Sequence, residues 1–350
     1  MTYYQKNNTP PVFREDDPNS YTYVDGYGFT PPPPLITERR VLQRYSNGLG
    51  FATLLYFVLT AIVPFLLLGL FSIFRPAIRV YGNQVLASSG IIQIVNILSS
   101  AISLFVPFLL FALFIRIPMK VAYPLKSFSS SLCAPWVFLA LAVSVIGLTS
   151  SSFLVHLLGW FNLSPHTNFQ MPQDPVALTL FGIQLCVITP LVEECVFRGV
   201  VFQSMRRFGD SFALMFSSVL FALFHLNLVQ APNAFLMGLV MGYAVLHSGS
   251  LWVGIIIHSV NNFLSFILQM ISGLMPAEYQ EILTLCMFAF YLIAGICSLL
   301  VLVRKYPNTF MFIRSTTFST ERIKYRTSFS SVTMIFALVL LLTFIVQNML

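Results

Sequence analysis

Residues 176–205 read VALTLFGIQLCVITPLVEECVFRGVVFQSM. The run from Val176 to Val192 carries no charge, and the whole segment exceeds the roughly 20 residues that a membrane-spanning helix needs. The same segment then places Glu193, Glu194 and Arg198 inside the span. A charged carboxylate at membrane depth costs about 2.5–3.5 kcal/mol on insertion scales. Two adjacent acids there must be paired, neutralised or wet. The segment therefore reads both as a membrane helix and as a site.

Further apolar stretches lie at 50–74, 91–115, 134–159, 211–229, 232–248, 251–272, 281–303 and 331–347. They predict an all-α fold, a polytopic transmembrane helical bundle of about eight helices plus a C-terminal ninth. Composition agrees: 57% of the 350 residues are hydrophobic and only 9% charged, against about a quarter charged in soluble domains. Mean hydropathy is +0.82. Four regions follow. Residues 1–45 form a polar tail, in which Glu15-Asp16-Asp17 and the Pro31 to Pro34 run read as disordered and no signal peptide is visible. Residues 46–303 form the bundle, with a core at 175–272 that carries the buried charged residues. Residues 304–330 form a basic cytoplasmic loop, and 331–350 the last helix.

The net charge of +7 points to basic loops rather than to nucleic acid, because Lys and Arg collect on the cytoplasmic side. Arg39, Arg40 and Arg44, then Arg116, Lys120 and Lys126, then Arg206 and Arg207, then Arg304, Lys305, Arg314, Arg322, Lys324 and Arg326 all flank spans on one side. Strict alternation puts the N-terminus in the cytoplasm and the C-terminus outside. Arg75 and Arg79 go against it. In a bacterium the membrane would be the plasma membrane. Cys133, Cys186, Cys195, Cys286 and Cys297 lie in apolar stretches without paired spacing and read as core residues, not disulfides or a zinc knuckle.

Arg198 follows Glu194 by four residues, so the two share a helix face and read as a structural ion pair. Glu193 is turned about 100° away and left free. His225 sits in the fifth span; His258 and Asn262, four apart, sit in the seventh. At 1.5 Å per residue, Glu193 is about 20 Å from Arg206, His225 about 21 Å from Ser211 and His258 about 12 Å from Ser250. These groups are expected to meet in one cavity in the cytoplasmic half of the membrane. Intramembrane ionisable groups mark functional sites by default. His156, His166 and His247 have no such company and receive no role. Gly238 and Gly242, at GxxxG spacing, read as a close helix contact.

Glu193 to Arg198 fits EExxxR, Phe221 to His225 fits FxxxH, and His258 to Asn262 fits HxxxN. In this order on separate membrane helices, they resemble the CPBP family of type II CAAX prenyl proteases and bacterial bacteriocin-processing and Abi proteins. The resemblance covers about residues 175–272. It implies an intramembrane endopeptidase, CAAX-processing-like, acting on a peptide or protein at the membrane. It also implies that Glu193, His225, His258 and Asn262 are catalytic.

Residue chemistry supplies two versions. In the first, Glu193 activates water, His225 holds the same water and shuttles a proton, and His258 with Asn262 forms an oxyanion hole. In the second, Glu193, His225 and His258 hold zinc with an open fourth position; HExxH is absent. The first version gives Asn262 a task, and the cofactor stays open between zinc and none. The alternatives are a non-catalytic scaffold or immunity protein of the same family, or a proton-coupled transporter, for which no repeat is visible.

Overall fold

The computed structural model describes residues 22–24, 28–30, 35–74, 79–81, 84–161, 163, 171–307, 309–310 and 317–348. Two short antiparallel hairpins occur, β1 (Thr22–Val24) with β2 (Gly28–Thr30) and β3 (Arg79–Tyr81) with β4 (Gln84–Leu86). Everything else of consequence is helix: α1 (Leu35–Phe74), α2 (Ser89–Phe114), α3 (Met119–Ala122) and α4 (Ser130–Gly159). The continuous helix α5 (Pro175–Phe208) follows. Then come α6 (Asp210–Phe224), α7 (Ala231–Ser248), α8 (Leu251–Leu274), α9 (Ala277–Lys305), α10 (Glu321–Phe329) and α11 (Val332–Gln347).

Each of the nine apolar stretches contains a helix, although that at 211–229 ends at Phe224. By length and composition, six of the described helices can each cross a membrane: α1, α2, α4, α5, α8 and α9. Helices α10 and α11, bent by 74°, make a seventh if taken as one span. The chain is an integral membrane protein with an all-α membrane bundle. The count of eight plus one is loose because two of the expected spans, α6 and α7, are not among these; α6 has only 15 residues, about 22 Å at 1.5 Å per residue, and lies largely buried.

Helix ends have local causes. Asp174 accepts the N–H of Ala177 at 2.8 Å, and Pro175 occupies the first helical position, so Asp-Pro starts α5. Gly249 closes α7 in the left-handed region at φ 66°. The next residue, Ser250, donates its hydroxyl to the carbonyl of Lys126, and the Leu251 N–H donates to Pro124. The α7–α8 corner is thereby stitched to the loop after α3. Gly238 and Gly242 let α7 approach α6: an added Cβ would lie 3.0 Å from Ser218 or 2.5 Å from Leu214.

The basic residues gather at one end. Arg44, at the start of α1, lies over the ring of Phe114 at the end of α2. Arg207, after α5, donates to the Tyr45 hydroxyl, and Lys305, ending α9, donates to Ser131 at the start of α4.

Several expectations need correction. Helix α1 begins at Leu35, so the polar tail is shorter than 45 residues. Glu38 ties α1 to a distant segment by accepting the N–H groups of Phe318 and Ser319. The basic stretch 304–330 is not all loop, because it contains α10. The five cysteines are free, but Cys286 and Cys297 are exposed on α9 rather than in the core. The acidic and proline runs of the tail, Arg75, Arg314 and His166 lie outside the described residues.

Gly50 fixes how α11 packs on α1. A Cβ there would sit 2.4 Å from the Met334 backbone nitrogen, while Thr333 donates its hydroxyl to the Asn47 carbonyl at 2.6 Å. Gly50→Ala should lower unfolding stability in detergent by about 1–3 kcal/mol through overpacking. Gly69→Ala, with nothing within 4 Å of the new Cβ, should not. Equal thermal midpoints for both variants would contradict the α1–α11 contact.

Candidate functional site

Helix α5 is not uniform. Its turns widen to the π form at Gln184–Ile188 and Cys195–Val201, with an ordinary helical piece, Thr189–Glu194, between them. Pro190 explains the first wide turn. It has no N–H to offer four residues back, and its ring crowds that carbonyl. Wide turns release backbone carbonyls, and side chains of α5 itself and of neighbouring helices take them up. Asn262 Nδ2 donates to the carbonyl of Leu185 at 3.0 Å. The Ser217 hydroxyl donates to Phe197 at 2.7 Å, and Gln203 Nε2 to Arg198 at 3.3 Å.

Between the wide turns sit the carboxylates. Arg198 Nη1 donates to Glu194 Oε1 at 2.8 Å, and both side chains are essentially fully buried. The same oxygen lies 3.0 Å from His258 Nδ1. A carboxylate only accepts, so Nδ1 carries the proton. That bond turns Nε2 of His258 towards Glu193 Oε2, 3.8 Å away. Glu193 and Glu194 project about 100° apart, yet one imidazole spans both. Gly254 makes room for this, since a Cβ there would lie 2.8 Å from Glu194 Oε2.

Phe221 is the hub of the packing. The Arg198 guanidinium lies 4.0 Å from its ring centroid, and the His225 and His258 rings lie at 4.8 and 5.8 Å. The role of this Phe was missed in reading the sequence, although it is the first residue of FxxxH. His225 is not mid-span, as 211–229 implied. It follows the last residue of α6, and Leu226 beyond it adopts the left-handed region at φ 50° without being glycine. Such strain clusters at functional sites. His225 Nδ1 donates to the Phe221 carbonyl at 2.8 Å, leaving Nε2 as its free acceptor.

Glu193, Glu194, Arg198, His225 and His258 thus come together around Phe221. Asn262 does not join His258 as a donor pair. Both face α5, as their four-residue spacing requires, but Asn262 sits one turn along and gives a proton to Leu185. His247 meets Thr309 and Trp136, and His156 meets Trp160, away from this cluster.

Glu193 lines a cavity of about 510 Å³ bordered by α1, α2 and α5. The expectation of a cavity in the half nearest the basic residues is not met. The cavity extends from Glu193 towards the starts of α2 and α5, away from the basic end. Glu193 stands about 20 Å from Arg206, more than half of a core about 30 Å thick. Further along α5 towards the basic end, Phe197 and Phe202 are fully buried, and the Ala122 carbonyl would lie 2.9 Å from a Cβ on Gly199.

The sequence reading also missed the cavity's polar wall. Gln93, Asn96, Ser99, Ser100 and Ser103 line it from α2, and Tyr56 and Thr60 from α1. The α2 residues recur every three or four positions inside an apolar helix, a signal present in the sequence.

Glu193, His225 and His258 are the side chains that would hold a zinc ion. Both imidazoles present Nε2, as metal-binding histidines do. Yet among the described residues no group of three His, Cys, Asp or Glu side chains converges to hold a metal. No step is therefore routed through one.

The model of the type II CAAX prenyl endopeptidases, Rce1-like, matches residues 175–264, the stretch from the start of α5 into α8. The membrane-embedded CAAX protease MroQ of Staphylococcus aureus (strain USA300) is 27% identical over 228 residues, which is 63% of this chain and 88% of that protein. Both similarities support the resemblance of this core to the CPBP family. The matched stretch contains every residue of the carboxylate–imidazole cluster. Both matches are to membrane proteases of the CAAX type. No solved structure matches the chain.

Removing one partner of a buried pair leaves an uncompensated charge, which costs about 3–5 kcal/mol. Arg198→Ala should therefore lower thermal stability in detergent strongly, while Glu193→Gln, at a side chain 20% exposed, should leave it nearly unchanged. Equal stability for Arg198→Ala and wild type would remove the ion pair from the account.

Proposed function

We propose that this protein is an intramembrane endopeptidase that hydrolyses a membrane-associated peptide or protein with a water activated by Glu193. The observation that supports it most is the alignment Arg198–Glu194–His258–Glu193: a neutralised carboxylate orients an imidazole, and the imidazole's free nitrogen faces a second carboxylate on the cavity wall.

The roles follow from the chemistry. Glu193 is the one carboxylate of the cluster open to the cavity, so it takes the proton from the attacking water. Glu194 has no such freedom. It fixes the tautomer of His258 as the buried carboxylate of a catalytic triad fixes its imidazole. His258 Nε2 then accepts a proton from Glu193 and returns it to the leaving amine. While it holds that proton, its positive charge lies beside the developing oxyanion. His225 offers its Nε2 to the same water. The Tyr56 hydroxyl, on the same cavity wall, is a neutral donor for the oxyanion. Asn262 acts at one remove by holding the first wide turn of α5.

The reading is metal-free, with zinc as the rival that a chelator decides. The substrate is cut near a membrane-associated terminus, as the CAAX-type relatives suggest. The basic end of the bundle is read as cytoplasmic, with the N-terminus on that side.

In proteoliposomes, wild type should cleave members of a panel of farnesylated and unmodified peptides, and Glu193→Gln should lose at least a thousandfold in rate while its thermal midpoint is kept. Cleavage should survive a chelator. Retained cleavage by Glu193→Gln would remove Glu193 as the base, and loss on chelation would replace the metal-free version. A well-folded wild type that cleaves nothing in the panel would favour a scaffold of the same family.

A further inference from the structure

The polar wall of α2 has no task in the chemistry above. Ser99 and Ser103 are more than nine-tenths buried, and their hydroxyls have no hydrogen-bond partner. Both line the cavity that holds Glu193. Gln93 Nε2 donates to Gln184 Oε1 at 2.6 Å, and Gln184 Nε2 donates to the Ser100 hydroxyl at 3.2 Å. The strip from Gln93 to Ser103 is thus part satisfied and part unpaired, and it bears no charge. Unpaired buried polar atoms are costly. They point to a ligand that both donates and accepts.

A peptide drawn to this depth meets a strict requirement. Every backbone N–H and C=O that leaves water must find a partner inside the protein, because hydrocarbon offers none. Hydroxyls and carboxamides, which donate and accept, meet both kinds of group. The spacing fits as well. Ten residues of helix cover about 15 Å, and an extended chain rises about 3.3 Å per residue. The strip therefore runs alongside four or five residues of substrate. Ser99 and Ser103, one turn apart, are separated by about 6 Å along α2. That approaches the two-residue repeat of about 6.6 Å at which an extended strand presents groups to one side.

We infer that the α2 strip, with Ser99 and Ser103 as its open members, is a subsite for the extended backbone of the substrate peptide next to the scissile bond. It rests on the peptidase reading. It goes beyond it by assigning a binding surface and a manner of recognition: main chain rather than side chain. Sequence tolerance follows, since hydrogen bonds to a backbone do not depend on side-chain identity. Ser99 and Ser103 are positioning residues; neither touches the reacting atoms.

The test uses the full chain in proteoliposomes and a fluorescein-labelled, farnesylated decapeptide, alongside versions N-methylated at single backbone amides away from the scissile bond. In the Ser99→Ala/Ser103→Ala double variant, KM should rise roughly tenfold, the worth of one or two hydrogen bonds, with kcat within about twofold. N-methylation at one or more alternate amides should weaken wild type by a similar factor and the double variant by much less. An unchanged KM, or an N-methylation penalty equal in both proteins, overturns the subsite. Anisotropy of the same peptides on Glu193→Gln protein separates this from the peptidase reading. Binding that N-methylation weakens supports the strip even if wild type cleaves nothing, and binding indifferent to every N-methyl group overturns it. If the double variant does not fold, the N-methyl series on Glu193→Gln protein decides alone.

Discussion

One carboxylate oxygen holds the site together. Glu194 Oε1 accepts from Arg198 at 2.8 Å and from His258 at 3.0 Å, in a place where no water-exposed surface remains. A charge so placed is tolerable only when paired and hydrogen-bonded. Meeting that constraint recruits α8 to α5 through His258 and recruits α6 through Phe221, which stacks under the guanidinium. The stabilisation of Glu194 and the aiming of His258 at Glu193 are therefore the same interaction. The two adjacent acids differ by 100° of helix rotation, and that alone makes one structural and the other available to a cavity.

The backbone of α5 is shaped to the same end. Pro190 and the turn after Glu194 widen the helix on both sides of the carboxylates, and the carbonyls set free there are taken by Asn262, Ser217 and Gln203. Such turns frequently accompany functional sites because they re-aim side chains without ending the helix. Here they let a single helix hold a buried ion pair, a cavity-facing acid and close contacts with α2, α6 and α8. A polar cavity on the side away from the basic end and packed aromatic rings on the other give Glu193 one open face.

Much of this was legible in the sequence because membrane helices leave little room for ambiguity. Apolar runs of 17 to 30 residues gave the helices, and charges inside them stood out against that background. Glu194 and Arg198 at four-residue spacing could only be neighbours. What the sequence did not carry was which atoms meet where the helices touch. Nothing in the spacing of His258 and Asn262 tells that one reaches a carboxylate and the other a carbonyl, because that depends on the wide turn in α5. The end of α6 at Phe224 was hidden since no glycine or proline marks it, and Leu226 takes the left-handed conformation instead. The α2 strip was visible as a three-to-four periodicity of Gln, Asn and Ser, but uncharged residues cost little in a membrane helix and drew no attention.

The account depends most on Glu194 orienting His258, and ring-nitrogen NMR tests this directly. Histidine labelled with 15N at both ring nitrogens would be introduced into the protein in proteoliposomes, with the His258 signals assigned by their loss in His258→Gln. The account predicts a proton on Nδ1 of His258 in a strong hydrogen bond, with that resonance shifted in Glu194→Gln. A His258 ring bare at Nδ1, or one whose signals ignore the change at residue 194, would contradict it.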